Sequence, residues 1–212
     1  MFRSDSKLVR FLNLAADLIC LNFMWLICSL PLVTMGAATA ALYRAELKLA
    51  RGETHVTPGF FRAVRSNFKQ ATIFHLCSTA ALAVMSCSLY LTYTYMETLK
   101  YPLTAVIGAG IVVILIMAAY FYPLIAQFDN SFRASLKNAY VLGCTNLPKS
   151  ILMVLLNLLP ILLLVLLPDV FFRVAEIIVL LGFALLAFWN AKIVLGVFKK
   201  YFPDAYAEET GE

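Results

Sequence analysis

Residues 18–43 read LICLNFMWLICSLPLVTMGAATAALY, a run without a single Asp, Glu, Lys or Arg. So apolar a segment belongs in lipid or at its edge. Pro31 has no N–H to offer a helix, and Gly36 weakens whatever helix follows, so the run does not form one straight rod. Two arrangements fit. In the first, Phe11–Leu30 is a full span with the N-terminus outside, and Pro31 ends it. In the second, Leu18–Leu30 and Leu32–Tyr43 are the two arms of a re-entrant hairpin, the class that apolar segments of about 10–14 residues favour.

The rest of the chain has the same character. Of its 212 residues 62% are hydrophobic and 14% charged, against about 25% charged in soluble domains, and the mean hydropathy is +0.86. Four further runs lack Asp, Glu, Lys and Arg: Gln70–Met96, Tyr101–Phe128, Ser150–Pro168 and Ile177–Ala191. The first three are long enough to cross a bilayer; the fourth is so if Lys192 snorkels and the segment runs on to Phe198. The fold class is therefore all-α: a polytopic helical membrane protein with four transmembrane helices. An N-terminal span or re-entrant broken hairpin and amphipathic interfacial helices complete it. It reads as one membrane domain, 1–212, with an N-terminal segment 1–43, helix pairs at 58–128 and 132–198, and a tail at 199–212.

The net charge of +5 fits basic loops that fix topology and meet anionic headgroups. No basic stripe interleaved with aromatics marks a nucleic-acid module, so the partner is the lipid bilayer. Of the seventeen basic residues, the single-span arrangement leaves five outside and the hairpin only two, so the charge bias favours the hairpin. Both arrangements put the basic loops and the C-terminus in the cytoplasm. A cleaved signal peptide, with Ala38-Thr39-Ala40 as its site, would export Arg44, Lys48, Arg51, Arg62, Arg65 and Lys69, against the same rule. The five cysteines, Cys20, Cys28, Cys77, Cys87 and Cys144, form no Cys-x-x-Cys and are expected to pack as small hydrophobes.

Before the first run, residues 1–17 are amphipathic, with Asp17 placed to pair with Arg10 or Asn13 across helical turns. Arg44–Lys69 forms the largest basic loop. In it Thr57 caps a helix from Pro58, which presents Phe60, Phe61, Val64 and Phe68 to the membrane and enters it near Ala71. Phe61-Arg62-Ala63 with Asn67 recurs 71 residues later as Phe132-Arg133-Ala134 with Asn138, each copy ahead of a pair of spans, as in parallel duplications. Glu97–Lys100 makes a short outer turn within an aromatic belt of Tyr90, Tyr93, Tyr95 and Tyr101. Phe121-Tyr122-Pro123 marks the inner end of the third run, and Asp129-Asn130-Ser131 caps the next helix. Asn146-Leu147-Pro148 breaks the chain, Pro160 kinks the fourth span, and Pro168-Asp169 turns the chain outside. The tail after Phe202, with Asp204, Glu208, Glu209 and Glu212, is expected to fray.

Polar groups at membrane depth are the candidates for function. Asn22, Asn157 and Asn190 each lie within an apolar run, where an inter-helix hydrogen bond is the competing role. His75 can accept a proton or serve the inner interface. Lys192 can anchor at the headgroups or pair with Asp129 or Asp17. At the break, the carbonyls beside Pro31 and the hydroxyls of Ser29 and Thr34, near Gly36, can accept from a substrate or cation, because irregular backbone at depth persists only in protein or at a polar cavity. No H-E-x-x-H, G-x-S-x-G or phosphate-binding loop occurs, and no span holds two carboxylates. The expectation is a non-enzyme with no catalytic residue, no cofactor and no metal.

Asn22-Phe23-Met24-Trp25-Leu26, then Ser29-Leu30-Pro31, Thr34, Gly36-Ala37 and Ala41-Leu42-Tyr43, resemble the YesL-like family of bacterial integral membrane proteins, defined by a domain of unknown function. Tyr122-Pro123-Leu124, Ala126, Phe128-Asp129, Leu136–Ala139 and Asn146-Leu147-Pro148 extend the similarity over most of the chain. The resemblance implies a multi-helix protein of the bacterial plasma membrane, often encoded beside carbohydrate-uptake and polysaccharide-degradation genes. It brings no ligand or catalytic residue. Three functions follow as expectations: an accessory or assembly component for carbohydrate uptake, bound to transporter subunits; a small-solute transporter or channel using the broken helix with Asn157 and Asn190, built as a homo-oligomer or from its own repeat; and an anionic-lipid binder.

Overall fold

The computed structural model describes residues 7–209. The start of the amphipathic entry, with Arg3, and the end of the tail, with Glu212, lie outside the described residues. The described residues are helical and contain no strand. In order they form α1 (Lys7–Ser29), α2 (Met35–Ala50), α3 (Phe60–Tyr95), α4 (Lys100–Gln127), α5 (Phe132–Thr145), α6 (Leu147–Leu166), α7 (Pro168–Ile177) and α8 (Phe183–Tyr201). A π-helical turn at Ile178–Gly182 joins α7 to α8. Five helical segments are long and apolar enough to cross a membrane: Leu8–Ser29, Thr57–Tyr95, Lys100–Gln127, Leu147–Leu166 and Pro168–Tyr201.

The break at Pro31 folds the N-terminal segment back on itself. Trp25 of α1 donates to Thr39 of α2 at 3.1 Å, and Asp17 accepts from the backbone of His55, just beyond α2, at 3.2 Å. These contacts fix α1 and α2 as antiparallel, with the start of α1 at the same end as residues 51–59. The arrangement is the hairpin's; a single span with its N-terminus opposite the first basic loop does not match it. At the tip Leu30, Leu32 and Val33 stand exposed, as lipid-immersed side chains would. Thr72 of α3 donates to the Val33 carbonyl at 3.2 Å, so the tip is level with Thr72. From there α3 runs on to Tyr95, about 35 Å at the helical rise, so the hairpin penetrates only part of the depth that α3 and α4 cover.

The second arm differs from the sequence reading, in which the helix stops at Tyr43 and the loop begins at Arg44. α2 continues to Ala50 because Ala45, Leu47 and Leu49 extend its buried face and alanine and leucine are strong helix formers. It ends in a glycine cap: Gly52 takes φ +88°, its N–H bonds Leu49 O at 2.9 Å and the Glu53 N–H bonds Lys48 O at 3.1 Å, the two bonds of a Schellman motif.

α2 is the axis of the packed end. Ala37, Ala38, Ala40, Ala41 and Ala45 are buried, and these small side chains let α1, α3, α4 and α8 close around it. The far halves of α3 and α4 form one projecting hairpin and α6 with α7 another, both mostly exposed.

Several boundaries also move. Thr57–Gly59 is a 3₁₀ turn without a side-chain cap, and α3 begins at Phe60 and passes Ala71 unbroken. Phe60 is buried and Val64 half-buried, whereas Phe61 and Phe68 are exposed. α4 carries Pro123 inside it and continues to Gln127, proline being tolerated in membrane helices where neighbouring groups satisfy the freed backbone. The second outer turn is the single residue Leu167, and helix resumes at Pro168, well ahead of Ile177, proline being suited to a first helical position. The tail turns back as far as Tyr206, which is buried, with the Lys199 ammonium 5.9 Å from its ring. The 71-residue repeat is not matched in form: its first copy lies in the unbroken α3, its second in α5, which Asn146 separates from α6. Ser131 does cap α5, accepting from Ala134 N–H.

Candidate functional site

The break itself is closed upon its own turn. The Thr34 hydroxyl faces the Pro31 carbonyl at 2.8 Å and also the Cys28 carbonyl, Gly36 is pressed against the Ala71 backbone, and the Ser29 hydroxyl is buried without a partner. Ser29, Pro31, Thr34 and Gly36 therefore build the hairpin tip, where Thr34 engages the Pro31 and Cys28 carbonyls.

One turn further along α2 the packing opens. A cavity of about 220 Å³ lies between α4 and α6 over Thr39 and Tyr43 and is also lined by Tyr122 and Asn157. A second, of about 130 Å³, lies between α1, α6 and α8, lined by Trp25, Pro160 and Phe183 and by the same Thr39, Tyr43 and Asn157. Asn157 thus divides one cleft whose floor is α2. Asn190 of α8 donates to Asn157 Oδ1 at 2.7 Å, and Asn157 lines both cavities together with Tyr43. Tyr122 meets His75 Nδ1 at 3.2 Å, which joins the cleft to α3. No charged side chain lines either cavity.

The remaining candidates are placed apart from this cleft. Asn22 holds the π turn: its amide donates to Val179 O at 2.6 Å, and its Oδ1 accepts from Ala184 N–H at 3.0 Å. A π turn leaves backbone groups out of register, and Asn22, with one donor and one acceptor so aimed, satisfies two of them. Asp17 takes the His55 N–H rather than Arg10 or Asn13, and His55 holds a left-handed φ of 57° there. Lys192 lies 4.5 Å from the Phe188 ring and 5.1 Å from that of Trp189, a cation–π anchorage in place of Asp129 or Asp17. The cysteines are free, and Cys20, Cys77, Cys87 and Cys144 are exposed rather than packed.

Reading the sequence missed Thr39, Tyr43, Tyr122 and Trp25 as cleft residues, and it missed Glu46 altogether. A signal for Glu46 was present. Arg44, Lys48 and Arg51 recur at i, i+4 and i+7 as one charged face, and Glu46 falls about 200° round the helix from Arg44, off that face.

Five helical segments long and apolar enough to cross a bilayer, packed with the shorter α2, make this a polytopic helical membrane protein. Residues 18–89 match the model of a family described as "Protein of unknown function, DUF624". That family includes the YesL-like proteins, so the motif around Pro31 and the family model point the same way. No curated protein and no solved structure matches the chain.

Proposed function

We propose that this protein is a non-enzymatic membrane component that binds a small neutral polyhydroxylated solute in the cleft over α2, in the service of carbohydrate uptake. The observation that carries this reading is the group of polar side chains set in a mainly aliphatic lining: hydroxyls of Thr39, Tyr43 and Tyr122, the Asn157 amide, the Trp25 ring and no charge. Hydroxyls and amides both donate and accept, as a sugar or polyol requires, and an aromatic face suits the apolar side of a sugar ring. An uncharged lining is a poor host for an ionic cargo. The gene neighbourhood implied by the family resemblance supports the same solute class. The positive-inside rule supports an orientation with the basic end in the cytoplasm, and the family resemblance supports a bacterial plasma-membrane setting.

The test is binding and uptake in liposomes with a panel of labelled neutral mono- and disaccharides. Saturable binding is expected, weakened about tenfold by Tyr43→Phe or Asn157→Leu, the size of one lost hydrogen bond. Binding of none of the panel, or binding indifferent to both substitutions, would sink the proposal.

A second reading, an assembly partner of a transport complex, is favoured by the projecting half of α3 and α4. There Val84, Leu91, Val106 and Val112 face outward and are free to take another helix. Co-purification in mild detergent separates the two readings: recovery of transporter subunits, lost when these four side chains are replaced, supports assembly.

A further inference from the structure

Glu46 lies in α2 with no exposed surface, and neither carboxylate oxygen has a hydrogen-bond partner. Beside it on the same face of the helix, one turn back, is Tyr43, the floor of the cleft. Asn190 across from Tyr43 is equally buried, and its Oδ1 is also without a partner. An ionised carboxylate so placed carries an uncompensated desolvation cost, which a neutral acid largely escapes.

The groups on the helices around α2 do not relieve that cost. From α1 comes Asp17, a second negative charge, engaged with the His55 N–H. On α3 and α4, His75 and Tyr122 are bonded to each other. On α8, Lys192 is held over the Phe188 and Trp189 rings. Burial, and after it the charge of Asp17, holds the Glu46 carboxyl well above the usual carboxylate range. A metal ion is the poorer occupant, because no cluster of three His, Cys, Asp or Glu occurs among the described residues.

We propose that Glu46 is a proton-binding site, which holds its proton at neutral pH. Loss of that proton creates a buried negative charge that Asp17 disfavours. The site stands whether or not the cleft takes a sugar.

Infrared spectroscopy of the full chain in lipid nanodiscs, without added solute, tests it. A protonated-carboxyl C=O band is expected at neutral pH, lost on raising the pH into the alkaline range and absent in Glu46→Gln. Asp17→Asn removes the neighbouring charge, so the band should then disappear at lower pH. Absence of the band from the unmodified protein at neutral pH, or its persistence in Glu46→Gln, would overturn the proposal. If Glu46→Gln is not recovered folded, Asp17→Asn decides alone: a midpoint that does not move down assigns the band elsewhere and overturns it.

Discussion

Gly36 has no room for a side chain. A Cβ there would stand 2.5 Å from the Ala71 carbonyl oxygen and 2.7 Å from His75 Cβ, and neither the α3 backbone nor a helix-rooted Cβ can yield cheaply. The absence of a side chain is what lets α2 lie against α3 just past the hairpin tip. Gly36→Ala is therefore expected to cost about 1–3 kcal/mol, as overpacking does, read as a lowered melting temperature in detergent. Gly52 differs in kind: nothing lies within 4 Å of its missing Cβ, but its φ is +88°, so its role is the turn that ends α2. At this scale the sequence reading found Gly36 but assigned it the wrong work, since a helix-weakening glycine and a close-packing glycine look alike until the neighbouring helix is known.

The hairpin of α1 and α2 is the element that sets this chain apart from a plain bundle. α1 alone is long and apolar enough to cross a bilayer, yet its contacts return α2 to the end where α1 began. A direct consequence concerns sidedness. On a cysteine-free background, Arg10→Cys and Thr54→Cys should react with a membrane-impermeant maleimide from the same side, and Glu97→Cys from the other. Labelling of Arg10→Cys together with Glu97→Cys would restore the single-span arrangement. Apolarity and the Pro31 break were legible in the sequence, and so was the charge bias toward the hairpin. The extension of α2 past Tyr43 was not, because Arg44, Glu46 and Lys48 read as loop until the helices that bury Ala45, Leu47 and Leu49 are in place.

Across the whole molecule, packing is concentrated at one end, around α2, and the two projecting hairpins leave their outer faces to lipid. The cost of a buried acid in that packed end should appear as a pH dependence of global stability. Glu46 binds its proton more tightly folded than unfolded. Its contribution is therefore fully present below the unfolded carboxyl value and is lost as pH rises through the raised folded value. The melting temperature should fall over that interval, and Glu46→Gln should flatten the fall. A melting temperature that rises through the same interval, or a slope unchanged in Glu46→Gln, would show that other groups dominate the titration.

Composition and the spacing of charge-free runs determined by themselves that this chain is an all-helical membrane protein, and Pro31 determined that its first apolar run is broken. These are local matters of transfer free energy and backbone bonding, which each segment settles without its neighbours. Only the tertiary structure decided that the break closes on itself while Thr39, Tyr43 and Asn157 share a cleft, and that Glu46 is enclosed. Enclosure depends on which helices meet around α2, and residues as far apart in the chain as Tyr43, Asn157 and Asn190 come together only when that packing forms.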